Sequence, residues 1–194
     1  SGTKGPETGQ RRTVMPGTKQ ASPAGDVRNL QKELSAENSE KNPVVEQLMR
    51  QAANAFVLYA NYKRYHWQTF GPHFRDYHKM FDEFAHDVRE SLDPLAERIR
   101  MIGQNPPSHL NRILDLCSVT SSDEPDANMR EMIEEADRNA LVVIKEIRQG
   151  VTDAEEHDDP GTVDLLSKLV QIYEKQEWWL RDILRGGDGL EGAR

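Results

Sequence analysis

The chain has 194 residues, of which 36% are apolar, and a formal net charge of -8. That length suits one domain with a sizeable core, and the acidic balance repels nucleic-acid phosphate unless the basic residues are segregated. The longest apolar runs, such as Ala140 to Ile144, are far too short to cross a bilayer. No apolar signal-type run stands in the first 42 residues. Cys117 is the single cysteine, so no internal disulfide is expected. It reads as a small buried apolar side chain in a protein of a reducing, cytoplasmic compartment.

Residues 1–25 are rich in Gly, Pro, Ser and Thr, and Lys4, Arg11, Arg12 and Lys19 against Glu7 make them net positive. They read as a disordered tail. Residues 26–42 are polar, with Val27, Leu30 and Leu34 available for a short docking helix, so 1–42 is assigned to a disordered or loosely docked N-terminal tail. Asn42-Pro43 has the composition of a helix start. Val45, Leu48, Ala52, Phe56 and Tyr59 then recur every three or four residues, His66 is the next step on that stripe, and Gly71-Pro72 ends the helix.

A second helix is predicted from Phe74, with Phe81, Ala85, Val88, Leu92, Leu95 and Ile99 as its apolar stripe and an end before Gly103. Pro94 lies inside it, where a local kink is expected. Residues 103–125 form a long connection, with a short helix within His109 to Cys117. The third helix runs from about Asp126 to Gln149, with Met129, Ile133, Leu141, Ile144 and Ile147 apolar. Its end is blurred by the acidic stretch Asp153 to Asp159, which reads as a loop. The fourth starts near Pro160-Gly161 and passes Leu165, Leu169, Ile172, Trp179 and Ile183 to Gly186-Gly187. No run reads as a strand. The pattern is all-α: a four-helix bundle over 43–186, with a short helix in the long connection between helices two and three. Residues 187–194 form a C-terminal tail.

The stretch from Tyr65 to Arg98 carries the chemistry. It places His66, His78, Asp82, Asp93 and Glu97 on one helical hairpin, and imidazole with carboxylate suits iron, zinc or manganese better than calcium. His78 and Asp82 are four apart, as are Asp93 and Glu97, so each pair shares a helix face. Asp82 and Asp93 are eleven apart. At about 100° per residue that returns to nearly the same face, but the rise separates the pairs by roughly 16 Å. One metal cluster cannot span that gap. Two copies of the helix, antiparallel and crossing near Asp87 and Val88, resolve the conflict. His78 and Asp82 of one copy then face Asp93 and Glu97 of the other, and two equivalent sites form. His66, across the Gly71-Pro72 turn, can join the His78/Asp82 half. Acids at four-residue spacing also describe a solvated face, and a histidine on an apolar stripe also describes a hydrogen-bonded core residue. Spacing alone leaves these readings open.

His66-Trp67, Gly71-Pro72-x-Phe74, His78-x3-Asp82 and Asp93-x3-Glu97-Arg98 resemble the signature of the Dps family (DNA-binding proteins from starved cells), which are ferritin-like. The resemblance covers roughly Pro43 to Arg185 in helix layout. Thr162-x-Asp164 and Lys175-x3-Trp179 resemble the family as well. It implies a hollow dodecamer with ferroxidase sites at two-fold interfaces, where iron(II), two ions per shared site, is oxidised, preferably by hydrogen peroxide, and stored as ferric mineral, which protects DNA. It also implies His66, His78 and Asp82 from one subunit with Asp93 and Glu97 from its partner. Glu97 would bridge or bind the tighter iron, and zinc is the alternative occupant. Trp67 would border the site and take up stray oxidising equivalents, or else pack in the interface. Asp164 matches the acidic position lining the family's iron(II) channel.

His86, one turn beyond Asp82, is a further ligand, an outer partner of the site, or a polar contact near the two-fold axis. His73, His109 and His157 read as solvated. Glu83-x-x-His86 is an E-x-x-H match, but without a second copy on another helix it argues against a di-iron site held within one subunit. The five acids among Asp153 to Asp159 are a solvated loop or an electrostatic path for iron(II). The alternative function is a DNA-compacting nucleoid protein. The tail's few basic residues on an acidic chain favour DNA binding only through avidity of many copies.

Overall fold

Helix α1, Pro43–Gln68, begins where the Asn42 side chain accepts the Val44 N–H at 2.8 Å and Pro43 fills the first turn, where a missing N–H costs nothing. The computed structural model describes residue 2 and residues 41–186. The rest of the predicted N-terminal tail, its docking segment and residues 187–194 lie outside the described residues. Gly71 turns the chain with φ 92°, a left-handed conformation that a side chain resists, and α2, Phe74–Met101, runs back along α1. It stays helical through Pro94. The short α3, Leu110–Leu116, packs on α1. Helix α4, Met129–Glu156, opens with a reciprocal capping box between Asn128 and Glu131. Helix α5, Pro160–Leu184, is capped by Asp159. The two hairpins α1–α2 and α4–α5 lie side by side, α1 on α4 and α2 on α5. No strand occurs among the described residues.

The acidic stretch is not a loop. Helix α4 continues to Glu156, so Asp153, Glu155 and Glu156 are helical, and only Asp158, with φ 51°, and the cap Asp159 form the turn. Gly150 does not stop the helix because it marks a close approach: a Cβ there would stand 2.9 Å from Leu166 Cδ1. The apolar stripes also need correction. Three neighbours contact α1, which shifts its buried arc to Leu48, Ala55, Leu58, Tyr62 and Tyr65, leaving Phe56 39% exposed. On α5 the core row is Leu166, Leu169, Tyr173, Gln176 and Leu180. Leu141 is exposed on α4, and Cys117 is half-buried rather than buried.

The long connection after α3 crosses the bundle on a seam of buried amides. Asn139 receives the Thr120 N–H and donates to the Thr120 carbonyl, both at 2.8 Å, and Asn61 donates to the same carbonyl at 2.8 Å. Asn54 holds the Ser118 N–H at 2.8 Å. Beyond it, Glu135 of α4 accepts hydrogen bonds from Ser122, Tyr65 and, at 2.8 Å, Arg64. A connection without regular structure thus has its peptide groups satisfied from the helices flanking it.

Asn139→Ala leaves the Thr120 N–H without its acceptor, the carbonyl keeping Asn61, and is expected to destabilise the fold by about 1–3 kcal/mol, read as a lower midpoint in chemical denaturation. Burial alone raises the Glu135 pKa, but hydrogen bonds from Ser122 and Tyr65 and the charge of Arg64 outweigh it and hold the carboxyl below its ordinary 4.5. The stabilisation is therefore present above that value and lost as pH falls through the lowered one. Glu135→Gln is expected to be less stable at neutral pH and to lose less stability on acidification, measured by thermal melts across that range.

Candidate metal centre

The turn at Gly71 brings the last turn of α1 against the first turns of α2, and two imidazoles meet there. The rings of His66 and His78 stack with centroids 3.6 Å apart and planes 22° apart. Nδ1 of His66 donates to the backbone carbonyl of His78 at 2.7 Å, and Nδ1 of His78 donates to the carbonyl of His66 at 2.8 Å. A carbonyl only accepts, so both Nδ1 atoms carry the proton, and Nε2 of each ring hydrogen-bonds to none of the described residues. This is the outer hydrogen bond that orients a metal-binding histidine. Phe74 stacks on His78 at 4.9 Å and extends the pile. Both histidines are half-buried. Beneath them lies an aromatic core of Tyr62, Tyr65, Phe81 and Phe84.

Asp82 stands one turn beyond His78, exposed, and accepts a hydrogen bond from Lys63 Nζ at 2.7 Å. That bond, with the Lys63 charge and the nearby histidines, holds the Asp82 carboxyl below its ordinary value. Sequence reasoning passed over Lys63. Its signal was the i, i+3 spacing to His66, which puts both on the same face of α1. Asp93 and Glu97 lie exposed on the far half of α2 and make no side-chain hydrogen bond or ion pair with the described residues. Among the described residues of a single chain, no group of three or more His, Cys, Asp or Glu is arranged to hold a metal ion. The chain brings His66 and His78 together, places Asp82 beside them in Lys63's grip, and keeps Asp93 and Glu97 apart from all three.

The remaining candidates are dispersed. Trp67 is 72% exposed, with Lys63 Nζ 5.9 Å from its ring centroid. His86 is exposed, and Arg89 Nη2 approaches its Nδ1 at 3.5 Å. Asp164 is exposed and paired with Lys168 at 2.6 Å. His157 caps α4, its Nδ1 on the Asp153 carbonyl at 2.7 Å. At the other end of α2, Arg98 binds Thr162 at 3.0 Å and the cap Asp159, which fastens the Asp93/Glu97 segment to the start of α5.

The paired helical hairpins and the histidine pair between α1 and α2 define a ferritin-like class, and a sequence profile of the ferritin-like domain matches residues 45–189. The chain belongs to the Dps branch of this ferritin-like family. It is 30% identical over 182 residues to "DNA protection during starvation protein 1" of Deinococcus radiodurans, covering 92% of this chain and 88% of that protein. The crystal structure of Dps from Thermosynechococcus elongatus superposes with a TM-score of 0.74 at 39% identity, covering 84% of this chain and 99% of the other. A zinc-soaked Dps from Listeria innocua aligns with a TM-score of 0.69 at 26% identity, over 73% of this chain and 95% of that one. No helix of the described residues is long and apolar enough to cross a membrane.

Replacing Lys63 by Met removes the hydrogen bond on Asp82. The Asp82 carboxyl is then expected to titrate at a higher pH, nearer its ordinary 3.8, in a carboxyl-carbon NMR titration of the metal-free protein. An unaltered titration would show that Lys63 does not hold it.

Proposed function

We propose that the protein is an iron-storing ferroxidase, whose sites form between two subunits and which oxidises iron(II) preferably with hydrogen peroxide. The observation that carries this reading is the reciprocal lock of His66 and His78. It leaves two Nε2 lone pairs beside the Asp82 carboxylate at the end of an α-helical hairpin whose other acids are out of reach. Asp93 and Glu97 of a second copy, laid antiparallel across α2, complete the donor set. Two imidazoles and three carboxylates suit iron(II), and zinc is the natural substitute. Two iron(II) ions supply two electrons to one hydrogen peroxide, which takes up two protons and leaves as two waters. No hydroxyl radical is released when both ions react together.

In this mechanism Glu97 and Asp93 bind and neutralise the cations, and His66 and His78 orient them through fixed tautomers. Asp82 joins when iron displaces the Lys63 ammonium. Trp67 borders the site and intercepts stray oxidising equivalents. His86, one turn beyond Asp82, is an outer partner. Twelve subunits enclosing a cavity would hold the ferric product, and Asp164 would lie on the path by which iron(II) reaches it. A cytoplasmic setting fits the single cysteine. The protection of DNA in the relatives' names is met by this chemistry, which needs no contact with DNA.

The shared site is tested by complementation. Iron(II) is bound anaerobically and peroxide is added, with ferric absorbance followed in time. A His66→Ala/His78→Ala chain and an Asp93→Asn/Glu97→Gln chain each lose rapid oxidation, by at least the ~10–100-fold that outer partners of metal ligands typically cost. Co-assembled, the two chains recover part of it, because each contact between one chain of each kind forms one intact site, and contacts between like chains form none. No recovery, or a monomer by native mass, would sink the shared-site reading.

A further inference from the structure

Pro94 stands between the two carboxylates of the second half-site, one residue after Asp93 and three before Glu97. A proline there removes the N–H that would bond the Glu90 carbonyl, and helices usually end at or before the residue preceding a proline. Helix α2 nevertheless continues to Met101. Leu95 and Ile99 bury the inner side of this segment in the core, at 1% and 0% exposed. Apolar packing is non-directional, so it holds the segment in without fixing its twist. Asp93 and Glu97 are themselves exposed, and neither anchors the turn they stand on.

The directional contact lies one residue past Glu97. Arg98 Nε donates to Thr162 Oγ1 at 3.0 Å, and Nη2 donates to Asp159 Oδ1. Both acceptors belong to the start of α5. Asp159 accepts the Thr162 N–H at 3.0 Å and the Thr162 hydroxyl at 2.7 Å, and Thr162 is buried. Arg98, Asp159 and Thr162 thus close a ring of hydrogen bonds that joins α2 to the cap of α5. Gly161 makes room for it, since a Cβ there would stand 2.6 Å from Arg98 Nη1. A planar guanidinium holds two acceptors in a fixed fork, which a lysine ammonium does not.

Resting on the ferroxidase reading, we propose that Arg98 is a positioning residue for the metal site. Its clamp on α5 holds Asp93 and Glu97 in one register across the break in hydrogen bonding at Pro94. The histidine half needs no such device, because its own Nδ1 bonds fix it. The clamp acts on binding rather than on the redox step. Carboxylates already in place bind a cation without first being ordered, whereas a loosened pair is ordered at the expense of affinity. Arg98 touches neither the ion nor the peroxide in this arrangement, so its loss raises the iron(II) concentration needed and leaves the maximal rate unchanged.

The test uses the full assembled protein and two variants that open the clamp from opposite sides. Arg98→Lys keeps the charge and loses the fork. Gly161→Ala leaves α2 untouched and pushes the end of a flexible side chain out of its cradle. Zinc(II) alone is titrated calorimetrically, and the site is the binding that Asp93→Asn/Glu97→Gln abolishes. Initial ferric formation with peroxide is followed in parallel over a range of iron(II). Both variants are expected to bind zinc about tenfold more weakly, the lower end of what a residue behind a metal ligand costs. The iron(II) concentration for half-maximal rate rises to match, at an unchanged maximal rate. Pro94→Ala, which restores the missing N–H, is expected to return most of the affinity in either background. Unchanged zinc affinity in both variants, even with a lower melting temperature, overturns the inference, and so does a failure of Pro94→Ala to restore it. The ferroxidase reading stands in both cases. If the wild type binds no zinc through Asp93 and Glu97 and forms no ferric iron, that reading falls, and this inference with it.

Discussion

The organisation of this protein depends on the exchange of hydrogen bonds between His66 and His78. Each imidazole uses its Nδ1–H on the backbone of the other residue, so the rings, the end of α1 and the start of α2 are fixed as one unit. Two consequences follow from the same pair of bonds. The helical hairpin closes at a defined register, which sets how the aromatic core beneath it packs. Both Nε2 atoms are also left without a hydrogen-bond partner among the described residues. In most cores a buried histidine is a satisfied polar group. Here each ring is half satisfied, and the unsatisfied half points to chemistry.

The second constraint is length. Helix α2 is a rigid rod, and eleven residues of it hold the His78/Asp82 pair roughly 16 Å from Asp93/Glu97. Nothing inside one chain shortens that distance. A bundle that kept its whole metal site within one subunit would need ligands from four helices facing inward. The inward-facing positions of this bundle are instead filled with Tyr62, Phe81, Phe84, Leu95 and Ile99. The candidate ligands instead lie on the outside of the α1–α2 hairpin, and the proposed site there calls for a second copy.

Polar groups in the interior do specific work on both sides of this arrangement. The amides of Asn54, Asn61 and Asn139 let an irregular connection cross the bundle without orphaned peptides. Glu135 extends that seam to Tyr65, one residue from the histidine pair. Arg98 ties the far end of α2 to the cap of α5. The Asp93/Glu97 half of the site is thus anchored to α5, whereas the His66/His78 half is anchored by the turn at Gly71.

The sequence by itself determined the helices and the spacing of the candidate ligands, because these depend on local periodicity, on side chains that bind their own nearby backbone, and on the invariance of helical rise. Asn42-Pro43, Gly71-Pro72 and Pro160-Gly161 marked boundaries that the chain observes, and the eleven-residue interval was enough to divide the five candidate ligands into two halves. The tertiary structure alone decided the rest. Which flank of a stripe is buried depends on how many neighbours a helix has, so Phe56 and Leu141 turn outward despite their spacing. Gly150 leaves α4 unbroken because α5 presses on it, and the acids after it stay helical. The Lys63 bond on Asp82 and the Tyr65 bond to Glu135 join residues 19 and 70 positions apart. Such pairings are set by the packing of one helix on another, and no local pattern encodes them.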